Sequence, residues 1–177
     1  SKLAQHILKT CPHLWSSALE VALAQGGPFA HALERLIESG AELPFEEIEN
    51  SIPLGHSTLR GVALAAMQRM EAPSERNPVK RAIYLHNLAI RLSDAGRSVE
   101  ALEAAQEAAG LYRELAGVSP AVYAPDLAAS LSNLASRLSD VGRSVEALEV
   151  AQEAAGLYRD LVEVSPAAYT PDLARSL

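Results

Sequence analysis

The chain has 177 residues, of which 49% are hydrophobic but only 5% aromatic, and it carries a formal net charge of −7. An acidic chain lacks the basic patches that DNA, RNA or an anionic membrane requires, so nucleic acid and membrane are excluded as expected partners. Alanine-rich composition favours close-packed helices over sheet, no apolar run approaches the ~18–20 residues of a membrane span, and the one cysteine, Cys11, fits a reducing cytoplasm.

In chain order, residues 1–70 are helical in pattern and non-repetitive. Pro12 suits a first helical turn, and Leu14, Trp15, Ala18, Leu19, Ala22 and Leu23 follow at helical spacing until Gly26-Gly27-Pro28. Phe29, Leu33, Leu36 and Ile37 mark a second helix closed by Ser39-Gly40. A shorter helix starts near Leu43, with Glu46 and Glu47 in its first turn, where the macrodipole favours acids. The Glu46, Glu47 and Glu49 group reads as a solvated helix start rather than a carboxylate site. Another helix covers Leu59–Met70, and residues 71–78, with two prolines, are the linker candidate. The expected division is a helical linker or capping region over 1–78 and a repeat region over 79–177.

The repeat region is defined by self-similarity. When residues 82–127 are laid on 128–173, 35 of 46 positions are identical, and a truncated third copy starts at about residue 171. A fixed period in this range marks a repeat array whose copies stack on one another. Each copy reads as two antiparallel helices. In the second copy, Pro125 and Asp126 fill the first helical positions, and the third copy begins equivalently at Thr170-Pro171-Asp172, with Thr170 as the cap. Gly142 takes the left-handed position after the first helix, Ser144 caps the next, and Ser165-Pro166 ends it. Ala135, Ala147, Ala151 and Ala154 leave room for Leu131, Leu134 and Leu138; Ala89, Ala101, Ala105 and Ala108 do so for Leu85, Leu88 and Leu92. Because Ser1 is not a start residue and the third copy breaks off, a piece of a longer protein is expected.

The pattern Leu131-x-x-Leu134-Ala135-x-x-Leu138-x-x-x-Gly142-x-x-x-x-Ala147-x-x-x-Ala151-x-x-Ala154 resembles the tetratricopeptide repeat. Leu131, Leu138 and Ala151 stand where that repeat usually has aromatic residues. The long period and the Leu-x-Asn-Leu-Ala opening (Leu85–Ala89, Leu131–Ala135) look more like its kinesin-light-chain type. Near-identical arrays of this kind also resemble the C-terminal sensor arms of bacterial signal-transduction NTPases with NACHT-like motors. The resemblance implies an all-α fold: a right-handed α-solenoid of antiparallel helix hairpins, preceded by a non-repeat helical segment.

Candidate function lies on a face. Helical spacing puts Asn133 and Arg137 on one side of the first helix of a copy, with Asp140 a turn on, and Asn87, Arg91 and Asp94 repeat this 46 residues earlier. Ile83, His86 and Ile90, then Ser132 and Ser136, are neighbours on that face. The resemblance implies that first helices line a concave groove and that Asn87 and Asn133 hold the main chain of a bound peptide, since an amide both donates and accepts. In the other reading, Arg91 and Arg137 pair with acids one copy away and only bond repeats together.

No phosphate loop and no nucleophile-elbow motif occurs, so neither an enzyme activity nor a cofactor is expected of this chain. His6, Cys11 and His13 lack zinc-ligand spacing and a fourth ligand, so no metal is expected. The expected function is a protein- or peptide-binding repeat module, the sensor or scaffold arm of a larger signalling NTPase. The alternative is a structural spacer or an array that self-associates through its last, open repeat.

Overall fold

The structure, a computed structural model, describes residues 14–25, 27–53, 56–70 and 77–176. These residues form nine helices and no strand: α1 Trp15–Gln25, α2 Pro28–Glu38, α3 Phe45–Asn50, α4 Arg60–Arg69, α5 Pro78–Asp94, α6 Ser98–Val118, α7 Pro120–Asp140, α8 Ser144–Val164 and α9 Pro166–Ser176. The fold is all-α, and the hairpins from α5 onward form a tetratricopeptide-like solenoid. No helix among them is long and apolar enough to cross a membrane. They belong to two compact units, one holding α1 to α4 and the other α5 through Ser93 together with α6 to α9. The linker candidate, apart from Asn77 and Pro78, lies outside the described residues, as do Pro12 and the His6, Cys11 and His13 group.

In the first unit the local signals fall where the sequence puts them. Gly27 (φ 69°) precedes Pro28 at the start of α2, and Gly40 (φ 87°) follows its end. Both take left-handed backbone, which side chains with a Cβ resist. Helix α2 packs on α1 and α4, and α3 packs on α4. The core between them is branched aliphatic: Leu33, Ile37, Ile48, Ile52, Leu59 and Val62 are all almost fully buried. Gly61 of α4 lets the Glu34 carboxylate lie where a Cβ would otherwise sit. Arg69 covers the Phe45 ring at 5.5 Å, a cation–π contact between α3 and α4. Glu49 departs from the solvated reading: it is buried on α3, while Glu46 and Glu47 stay exposed.

The second unit is a succession of antiparallel helices built from small residues. Ala82, Ala89, Ala101, Ala105 and Ala108 are buried with Leu85 and Leu92, and Ala128, Ala135 and Ala154 with Leu131, Leu134 and Leu138. Alanine on one helix admits leucine from the next, so helices approach closely without large cavities. Gly96 (φ 77°) and Gly142 (φ 79°) turn the chain between the two helices of each hairpin. After each glycine an arginine pairs with a glutamate three residues on, Arg97 with Glu100 and Arg143 with Glu146.

Three local expectations are corrected. Helix α7 starts at Pro120, not Pro125, and α9 at Pro166, not Pro171, so Pro125 and Pro171 lie inside helices. An internal proline removes one backbone donor. Here the carbonyls it would have bonded belong to Ala121 and Ala167, which are exposed to water. Thr170 is not a cap; its hydroxyl donates to the Pro166 carbonyl at 2.7 Å within α9. Ser144 is the first residue of α8, the cap position falls on Arg143, and no side-chain cap bond forms there. The Arg143 carbonyl instead accepts the Ala147 amide, and its guanidinium holds Glu146.

Candidate functional site

The first helices of successive hairpins, α5 and α7, and the following helix α9 surround a cleft of about 540 Å³. From α5 come His86 and Ile90, and from α7 Asp126, Ala129, Ser132, Asn133 and Ser136. Helix α8 adds Ala151 and Tyr158, and α9 adds Tyr169, Asp172, Arg175 and Ser176. The spacing of three and four residues along α7 explains why Ala129, Ser132, Asn133 and Ser136 share one wall.

The α7 side of the cleft carries two serines and an asparagine, and both serine hydroxyls are already committed. Ser132 Oγ donates to the Ala128 carbonyl at 3.0 Å and Ser136 Oγ to the Ser132 carbonyl at 3.1 Å. With their protons directed into their own helix, these hydroxyls keep only acceptor capacity. Asn133 differs: its Nδ2 is buried and has no hydrogen-bond partner. A buried donor without a partner costs about 1–3 kcal/mol relative to a bonded one. A chain segment that displaced the covering side chains and brought a carbonyl to Nδ2 would remove that penalty.

A Tyr–Asp pairing recurs with the repeat. Burial pushes the Tyr112 phenol up to about 12, and the Asp126 carboxylate adds to this. Burial also raises Tyr158, with Asp172 adding, while a hydrogen bond with Ser132 and the charge of Arg175 work against it. Arg175 Nη2 donates to Asp172 Oδ1 at 2.8 Å. Burial lowers the His86 imidazole below its ordinary range, and Asp126 opposes the shift. At neutral pH the tyrosines are therefore phenols and His86 is neutral.

Of the residues expected on the binding face, the cleft gathers His86, Ile90, Ser132, Asn133 and Ser136. Ile83 is exposed on α5 (48%), away from the cleft lining, and Asn87 is half-buried. Arg91 is buried (2% exposed), so it is part of the packing and not of a solvent-facing wall. Asp94 is half-buried at the end of α5. Arg137 does not reach an acid one copy away; its Nε lies 3.3 Å from Asp140 Oδ2 on the same helix. That approach is electrostatic, because Nε makes no aligned hydrogen bond. The sequence reading missed Asp126, Tyr158, Tyr169, Asp172 and Arg175. The Ser-Pro pairs at 119–120 and 165–166 carried the signal: read as helix starts, they place Asp126 and Asp172 a turn and a half inside α7 and α9 rather than at an entry.

Among the described residues no group of three or more His, Cys, Asp or Glu side chains is placed to hold a metal ion. Residues 81–121 and 127–166 match the family model of the tetratricopeptide repeat. Helices α5 to α8 are thus a tetratricopeptide repeat array. The chain matches no curated protein and no solved structure. Such arrays mediate contacts between proteins, and the cleft of this array lies on its first helices, with α9 completing the wall.

Proposed function

We propose that the array binds an extended peptide segment of a partner protein in the cleft between α5, α7 and α9. The observation that carries this reading is Asn133 on the cleft wall, whose covered Nδ2 has no hydrogen-bond partner. An extended main chain offers a carbonyl to that donor and an amide to the neighbouring acceptors, so it is bound without regard to side-chain identity. Ser132 and Ser136 supply the acceptors, and Tyr158 and Tyr169 supply flat apolar area. Asn87 and Asn133 are equivalent in the repeat, but only Asn133 lines the cleft, so the main anchor is assigned to the second copy.

The finer reading, a sensor or scaffold arm of a larger cytoplasmic signal-transduction NTPase, rests on sequence resemblance alone. The peptide reading is tested by selecting extended peptides from a display library on the 177-residue chain. Asn133→Ala is expected to weaken the selected peptides about tenfold, the loss of one buried hydrogen bond, with the helical spectrum unchanged. Equal affinity for the variant would contradict it.

A further inference from the structure

The cleft of about 540 Å³ carries one charge that no group on its walls balances. Among the described residues its charged lining side chains are Asp126, Asp172 and Arg175. Arg175 Nη2 donates to Asp172 Oδ1 at 2.8 Å, three residues away on the same helix, so these two cancel. Asp126 is the counterpart of Asp172 one repeat earlier, but there the place of Arg175 is taken by Ala129, which cannot pair with a carboxylate. In the first copy the position of Asp126 holds Lys80 instead. Asp126 is exposed and makes no ion pair or hydrogen bond among the described residues. His86 lies close enough to feel its charge, yet burial keeps that ring neutral near pH 7.

The remaining hydrogen-bonding capacity has the same sense. Ser132 and Ser136 spend their protons on their own helix and keep only oxygen lone pairs, and Asp126 adds two carboxylate oxygens. Tyr158 and Tyr169 add aromatic rings, whose faces attract a cation. An acidic side chain brought here meets a like charge. A neutral one strips water from the Asp126 carboxylate without replacing it. Lysine or arginine supplies donors, no acceptor, and the missing charge. The net charge of −7 attracts the same class of partner at longer range.

We propose that the cleft selects peptide segments that carry a lysine or arginine, and that this basic side chain docks on Asp126. The inference rests on the peptide reading of the cleft and adds the charge that the segment must bear. Asn133 holds main chain and accepts any sequence; Asp126 reads a side chain and gives the cleft its specificity.

A double-mutant cycle on the 177-residue chain tests it. Peptides are selected from a randomised display library, and the tightest is remade with each basic residue in turn replaced by methionine. The selected sequences are expected to be rich in lysine and arginine. Asp126→Asn is expected to weaken the parent peptide about three- to fivefold, the range of an exposed ion pair, and to leave one of the methionine peptides unaffected. The difference is expected to shrink at about 1 M salt, where the screening length is about 3 Å. Glu103→Gln removes an exposed carboxylate of α6 outside the cleft lining and is expected to change neither affinity. Selected peptides without basic residues, equal loss for all peptides on Asp126→Asn, or a matching loss on Glu103→Gln would overturn the proposal. If Asn133→Ala weakens binding while Asp126 couples to no basic residue, the main-chain reading stands and this one falls. Coupling at Asp126 with no effect of Asn133→Ala gives the reverse, and a library that yields no binder overturns both.

Discussion

The hairpins α5–α6 and α7–α8 share most of their sequence and differ in what surrounds them. Where the cause is local they agree. Gly96 and Gly142 adopt the same left-handed turn, and Arg97 and Arg143 make the same pair three residues on. Where the cause is a neighbour they diverge. Leu102 is buried and Leu148 exposed, Arg91 is buried and Arg137 half-buried, and neutral His86 stands where the second copy has Ser132. Near-identical sequence thus fixes the shape of a hairpin, while its position in the array decides which side chains are core, interface or free.

The largest test of this contrast is a pair of truncations. Leu102→Ala is expected to cost about 2–4 kcal/mol in urea unfolding, within the range for a buried leucine. Leu148→Ala is expected to cost less than about 0.5 kcal/mol, because its side chain is already in water. Equal costs would break the assignment of neighbours.

Next in size are the turns. Gly96→Ala and Gly142→Ala force a Cβ into left-handed backbone, although nothing lies within 4 Å of either site. Each is expected to cost about 1–2 kcal/mol by the same measurement. The two values should agree; a clear inequality would show that the turn is not governed locally.

The smallest effect is one of pH. His86 has its proton affinity lowered by burial, so the unfolded chain binds that proton more readily than the folded one. Stability contributed by neutral His86 is present above the ordinary value of 6.5 and is lost as pH falls below it. His86→Ser, which installs the second copy's residue, is expected to flatten the fall in Tm between about pH 6.5 and 5. An unchanged slope would assign the acid sensitivity elsewhere.

Much of this was legible in the sequence, for physical reasons that differ by element. The helices and their ends follow from apolar spacing and from glycines that must turn left-handed, as at Gly40 and Gly142. The alanine–leucine packing followed from the period, because each copy must bury the same face. The helix starts were misread because Pro125 and Pro171 suit a first turn by local rules; the exposed backbone around Ala121 and Ala167 lets them sit inside instead. The cleft was legible on α7, where one helix supplies Ser132, Asn133 and Ser136. Tyr158 and Tyr169 come from other helices and reach the site only through packing, which spacing along one helix does not encode. The burial of Arg91 and the partner of Arg137 are likewise set by surroundings, since both residues occupy the same place in the repeat.

The central claim is that the cleft satisfies Asn133 with a bound main chain. It is tested most directly by titrating a selected peptide into isotopically labelled protein and following the Asn133 side-chain amide by NMR. The account predicts a downfield shift of one Nδ2 proton, protection of it from exchange, and accompanying shifts at Ser132, Ser136 and Tyr169. A peptide that binds while the Asn133 amide stays unshifted, with changes confined to residues outside the cleft, would contradict it.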